Sequence, residues 1–448
     1  MSTPSLRRAA RLLWTVGSLA LVTAGAATVA GPLLGPVIPT PPMPEPSYLQ
    51  PVRDPAFGTI IVRISEPGRA MGASGRCGPQ YCTHRYSTAQ AWNADQSLLV
   101  LENGCGGGCF LDGRSYKPLF RRDMPNECEW HPVDPSAMIC VADQAVYVWA
   151  PRTNRIESII PLEGFRQAQF GPYKGNPSAS GERIVVRAQD DRGREVAFAV
   201  DVTSGLLHPP IQLDTIPGTN NFCSISASGS YIVCGQELPE ERETLHVFTA
   251  EGVPVQHWIE HHRPGHGDLT TDPNGDDVYV GISKSEPDLF HVIKRRLRDG
   301  LVTDLLPYGQ ISHASLRNTQ RPGWAFLTFT GTREDVEGTP QNGKASFYQE
   351  IVALRIDGSG ELRRLLQTRN AQADYWSETH ASPSPDGSRV IWSSNWGHAG
   401  GPVSDYVAEV SWPDLGAGTL EHYSARHESG AMPDHNSGRD GRHAASPF

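Results

Sequence analysis

Three histidines occupy the same place in a repeating pattern: His266, His313 and His380 each come a few residues before a glycine-containing turn. Glu378 lies two positions before His380 and Asp268 two after His266, so on an extended strand each carboxylate shares a side with its histidine. Imidazoles with a carboxylate suit manganese, zinc or iron, and a richer carboxylate set suits calcium. His313, His380 and Glu378 are the candidate ligands, with His266 and Asp268 as supporting groups or base. The structural alternative is a histidine that ties neighbouring strands by hydrogen bonds. Earlier copies of the pattern hold Ala89, Lys174 and Phe222 at the matching place, so only the last three share the choice.

What must position these side chains is visible in the repeat itself. A turn of the Pro-Asp-Gly type separates a polar-leaning strand from a β-branched, aromatic-rich one in AWNADQSLLVLE at 91, EWHPVDPSAMICVA at 129, NPSASGERIVVRA at 176, SISASGSYIVCG at 224, TTDPNGDDVYVG at 270 and SPSPDGSRVIWSS at 382. RNTQRPGWAFLTF at 317 is a more divergent copy. Most copies are followed by a second strand pair, such as EVAFAVDVTSG at 195 or TLHVFTAEG at 244. Four strands recurring at about 45 residues predict an all-β, seven-bladed β-propeller of four-stranded blades. The 45 glycines and 37 prolines agree with many short strands joined by turns. FGTIIVRISE at 57 is a spare strand, suited to completing the last blade and closing the ring. Two stacked β-sandwiches are the alternative architecture.

In a propeller the innermost strand of each blade lines the central channel, so residues at its start converge at one mouth. That is where His266, His313 and His380 are expected to meet.

The expected domain plan is a signal peptide or membrane anchor over 1–30, a Pro-rich linker over 31–56, the propeller over 57–423 and a disordered polar tail over 424–448. Arg7, Arg8 and Arg11 precede an apolar stretch from Leu12 to Ala30, the order of an export signal; the stretch is also long enough for an uncleaved anchor. Either way the body is expected to be extracytoplasmic, periplasmic or secreted. The eight cysteines agree, falling in close pairs: Cys77 with Cys82, Cys105 with Cys109, Cys128 with Cys140, Cys223 with Cys234. The last two pairs are each symmetric about a tight turn, which predicts cross-strand disulfides worth roughly 3 kcal/mol each. Zinc held by the first four cysteines is the alternative. A formal net charge of −10 argues against nucleic acid and an anionic membrane surface as partners.

The turns resemble those of Tol-type periplasmic and WD-repeat-like propellers. A narrower resemblance, carried by GHGDLTTDPNG at 265, SHASLRNTQRPG at 312 and ETHASPSPDG at 378, is to the oligogalacturonate lyase family, whose last blades carry metal-binding histidines before the same turn. The family's preceding-blade histidine maps onto His313 and its following-turn histidine onto His380. Glu378 and Tyr375 replace a second histidine and a glutamine. The resemblance implies a divalent metal (manganese, calcium or zinc) and β-elimination on a uronate-containing polysaccharide or oligosaccharide. His266 and Tyr375 are then the candidate bases, Arg317 and Arg321 partners for the substrate carboxylate, Trp376 and Trp396 sugar platforms, and Lys174 a further substrate contact. For Trp376, Trp396, Trp92 and Trp130, packing inside the blades is the competing role. No nucleophile elbow, phosphate loop or HExxH occurs. The rival to an enzyme is a non-catalytic envelope propeller binding a protein or glycan over one face.

Overall fold

The computed structural model describes residues 37–72, 75–125, 127–171, 175–261, 266–306, 311–329, 347–372 and 374–412. The basic-apolar leader and the polar tail lie outside them, so the expectations for 1–30 and 424–448 do too. Among the described residues there is no α-helix, only two single turns of 3-10 helix at Leu213–Thr215 and Tyr375–Ser377. No helix there is long and apolar enough to cross a membrane.

The strands form seven four-stranded blades around a channel. Blade two is typical: Glu127–Trp130, Met138–Ala142, Ala145–Ala150 and Arg155–Pro161 run antiparallel in order from the channel outward. Blade one departs from the pattern, because its innermost strand shrinks to the bridge between Trp92 and Leu99. Blade seven closes the ring: Ser382–Pro383, Arg389–Ser394 and Val403–Glu409 are completed by Ile60–Arg63 from the start of the chain. A fifth strand, Pro51–Arg53, is added outside it.

The segment expected as a linker is bound to this seam as far back as the described residues reach. Gln367, Arg369 and Trp396 donate to the carbonyls of Ile38, Pro41 and Met43, and Tyr406 donates to Glu45. Prolines suit this role, since an extended chain held by its carbonyls needs few amide donors.

The turns work as their composition suggests. In blade five Asp272 Oδ1 accepts from the amides of Asn274 and Asp276, while Gly275 takes the left-handed conformation at φ +82°. In blade seven Asp386 accepts from Ser384 and Ser388, ahead of Gly387 at φ +69°. Between the blades the core is apolar and aromatic, with Trp92, Trp130, Trp392 and Trp412 almost fully buried.

All eight cysteines are paired as their spacing suggests. Cys128 faces Cys140 and Cys223 faces Cys234 in direct register between the first two strands of blades two and four. Zinc ligation by the first four is excluded, because their sulfurs are spent in disulfides. Four disulfides place the chain in an oxidising, extracytoplasmic compartment.

Candidate metal centre

The innermost strands of blades five and six begin side by side. His266 and His313 form a parallel bridge, and the Ala314 amide donates to the His266 carbonyl at 2.8 Å. Their rings lie 4.5 Å apart, centre to centre. The pairing of Ile311–Ser315 with its neighbour shifts register between Ile311 and His313, an irregularity of the kind that re-aims a side chain. His313 is buried, with 1% of its surface exposed.

Blade seven supplies the other half. Tyr375–Ser377 forms a single 3-10 turn capped by the reciprocal bonds of Asp374 and Ser377. The chain then extends through Glu378 and reaches His380 in the left-handed region, at φ +46°. The His380 ring stands 4.7 Å from that of His313, edge to face. Glu378 Oε2 lies 3.1 Å from His380 Nε2 and 3.5 Å from His313 Nε2, while Oε1 accepts from Gln372. One ligand atom from each of His313, Glu378 and His380 falls within 4.8 Å of the others. Burial lowers the affinity of the His380 imidazole for a proton, against the pull of Glu378, so the ring is neutral at physiological pH with a lone pair to offer.

His266 stays beside the cluster without joining those three. Its Nδ1 is 2.7 Å from the hydroxyl of Tyr86. The Tyr86 ring covers the whole group, 5.9 Å from His266, 5.3 Å from His313 and 4.8 Å from His380. Neither Tyr86 nor His84 stands out in the sequence, because both precede blade one, whose matching place is filled by Ala89. They reach the mouth because Tyr81–Cys82 pairs in parallel with Val403 and Ser404 of blade seven, carrying the following residues across the channel. The signal available in the sequence is the cluster THRYST itself, a histidine and a tyrosine just upstream of a blade turn.

The remaining candidates are dispersed. Asp268 and Arg317 are both buried and bind each other, so neither faces the cluster as base or as substrate contact. Arg321 sits at the turn end of its strand, away from the histidines, donating to the Asp386 carbonyl and lying over the Trp412 ring at 5.0 Å. Trp396 is buried against Tyr406 and serves packing. Lys174 lies outside the described residues. Tyr375 and Trp376 do reach the rim, 48% and 42% exposed. The Tyr375 ring is 5.2 Å from His380, and Trp376 stacks flat on Tyr81 at 4.5 Å.

No protein family model matches the sequence, and no curated protein does. Among solved structures, an oligogalacturonate lyase from Vibrio parahaemolyticus aligns with a TM-score of 0.54 at 12% identity, covering 81% of this chain and 97% of its own. An oligogalacturonate lyase in complex with manganese aligns with a TM-score of 0.54 at 13% identity, covering 82% of this chain and 97% of its own. At such identities the likeness is one of fold: this chain is a β-propeller similar in architecture to those lyases.

Proposed function

We propose that the protein is a periplasmic or secreted enzyme, held at the membrane if its apolar leader is retained, that cleaves an acidic polysaccharide by β-elimination. The observation that carries this reading is the convergence of His313, Glu378 and His380 on one point beside His266, under a rim bearing two exposed aromatics.

The donor set fits a divalent metal. Two imidazole nitrogens and one carboxylate oxygen lie close enough to share an ion, and they suit manganese or zinc better than calcium, which prefers an all-oxygen shell. Bound there, the ion supplies Lewis-acid polarisation of the substrate carboxylate. The chain's own residues do the rest. His266, its Nδ1 engaged by Tyr86, takes the proton from the carbon next to the carboxylate. The electron pair of that C–H bond becomes the new carbon–carbon double bond as the glycosidic C–O bond on the adjacent carbon breaks. Tyr375, exposed at the rim beside His380, protonates the departing oxygen, since a phenol gives a proton at neutral pH more readily than it takes one. Trp376, backed by Tyr81, offers a flat apolar face to a sugar ring. Arg317 and Arg321 have no part, being committed to Asp268 and to the blade-seven turn.

The experiment is a screen of the purified protein, supplied with manganese, against pectic, alginate, ulvan and glycosaminoglycan chains. Ultraviolet absorbance of an unsaturated uronate supports the reading; silence across all four overturns it.

The burial of His313 and His380 beneath Tyr86 favours a second reading, an envelope propeller that binds a protein or glycan partner without chemistry. Saturable binding to a member of the same screen, with no absorbance change, is its signature.

A further inference from the structure

His84 makes three hydrogen bonds deep inside the ring, two to Asp405 and one to His380 of the proposed metal centre. Its backbone amide and its ring Nδ1 both meet Asp405 Oδ2, at 2.5 and 2.9 Å. Its Nε2 meets the backbone carbonyl of His380 at 2.7 Å. A carboxylate and a carbonyl oxygen only accept, so both ring nitrogens of His84 act as donors. Asp405 is held from its other side, where Ser393 donates to Oδ1 at 2.8 Å and the Asp405 amide donates to Ser65. His84 and Asp405 are 1% and 0% exposed, so water cannot replace either bond.

The residue at the end of this chain has a left-handed backbone. A non-glycine residue in the left-handed region is strained and persists only where its surroundings impose it. His380, at φ +46°, is such a residue, and His84 grips the carbonyl whose direction that conformation sets. With the carbonyl turned toward His84, the imidazole of His380 faces Glu378 and His313.

We propose that His84, anchored by Asp405, is the positioning residue of the centre: by holding the His380 carbonyl it keeps the His380 imidazole aimed at Glu378 and His313. Blade seven, which carries Asp405 and His380, and the segment entering blade one, which carries His84, are thereby locked together at the site. The inference rests on the reading of His313, Glu378 and His380 as a metal-holding set, and it concerns the protein's own geometry before any ion arrives.

The test compares wild type, His84→Ala, the double variant His84→Ala with Asp405→Ala, and Val390→Ala, each as the full chain. The double variant removes both charges, so it leaves no unpaired buried carboxylate and folds where the single variant fails to. Val390 is a buried core residue of the same blade, packed in the apolar cluster with Trp324, Phe326 and Trp392, so it measures what loss of stability alone does. Calorimetric titration with manganese should show affinity 10- to 100-fold weaker in the His84 variants, the usual cost of losing a group that orients a ligand, and unchanged in Val390→Ala. Crystal structures of the metal-free His84 variants should show His380 relaxed to negative φ with its ring withdrawn from Glu378. A rescue variant, His84→Gln with Asp405→Asn, restores an amide donor toward the carbonyl and should bind manganese within about threefold of wild type. The proposal is overturned if His380 keeps its positive φ and its contact with Glu378 once His84 is gone. Should wild type bind no manganese, the metal reading fails, and the crystal structures alone decide whether His84 positions His380.

Discussion

The Arg317 guanidinium and the Asp268 carboxylate form a two-armed ion pair, Nε to Oδ2 at 2.9 Å and Nη2 to Oδ1 at 2.8 Å, inside the wall between blades five and six. The Leu316 amide adds a further bond to Asp268, and Arg317 also reaches the Leu269 carbonyl. Removing one partner leaves the other charged, buried and unpaired, which costs about 3–5 kcal/mol. Arg317→Ala and Asp268→Asn should therefore each lower the denaturation midpoint strongly. Had Arg317 served the substrate, Arg317→Ala would instead raise KM with little change in stability, and that outcome would remove the pair from the structural framework.

The proposed metal centre makes a different prediction, because the side chains of His313, Glu378 and His380 are the candidate ligands for an ion. Elemental analysis of wild type should give near-stoichiometric divalent metal, with His313→Ala, Glu378→Gln and His380→Ala each abolishing it. A chelator should lower the thermal midpoint of wild type only, since a ligand at a hundred times its Kd adds about 2.7 kcal/mol to the folded state. Metal-free wild type with an unaltered midpoint would count against the site.

Much of this was legible in the chain because the signals are local. Most blade turns announce themselves through an Asp or Ser, in several joined by a glycine within a few residues, and the two cross-strand cystines follow from symmetry about two of these turns. Convergence of His266, His313 and His380 needs only one further step, the closure of the ring. The partners of the site are another matter. His84 and Tyr86 arrive from before the first blade through the parallel pairing of Tyr81–Cys82 with Val403 and Ser404, a contact spanning most of the chain that leaves no periodicity to read. Asp268 has the spacing of a site residue, yet its side chain turns to Arg317 of the next blade. No pattern along one strand reveals which neighbour a buried carboxylate will choose.

Tyr86 offers a prediction that separates catalysis from metal binding. Its hydroxyl meets His266 Nδ1, while its ring packs over the other imidazoles. Tyr86→Phe keeps the ring and deletes the hydroxyl, so fold and metal content should persist. If His266 is the base, its ring loses its orienting partner and kcat should fall by about 100-fold, within the range general-base catalysis supplies, with KM little changed. An unaltered kcat would release His266 from that role.

Acid stability should report on Asp272. Burial raises the proton affinity of this carboxyl, but bonds from Lys294 at 2.8 Å and from the amides of Asn274 and Asp276 outweigh it and hold the group below the usual carboxylate range. A carboxyl whose folded pKa is depressed contributes stability that is fully present above its unfolded value, about 4, and lost as pH falls through the folded one. Asp272→Asn should thus be clearly less stable than wild type at neutral pH and should converge with it in strong acid, below the depressed folded value, where wild type is protonated too. Denaturant titrations at the two pH values measure this. A gap that survives in acid would assign the loss to shape rather than charge.

Trp376 tests the rim. A large aromatic left 42% exposed has little to do for the core, and it lies flat on Tyr81 beside Tyr375. Stacking of one aromatic face is worth about 0.5–1.5 kcal/mol beyond burial, so Trp376→Ala should weaken binding of an acidic oligosaccharide by about 2- to 12-fold, with only a small shift in thermal midpoint. Tyr81→Ala should do less, because Tyr81 acts by backing the indole. The double variant should lose no more than Trp376→Ala alone, since removing the indole already removes what Tyr81 supports. Full additivity would mean that the two rings meet the ligand separately. A loss of stability without loss of binding would return Trp376 to blade packing and leave the mouth without its sugar platform.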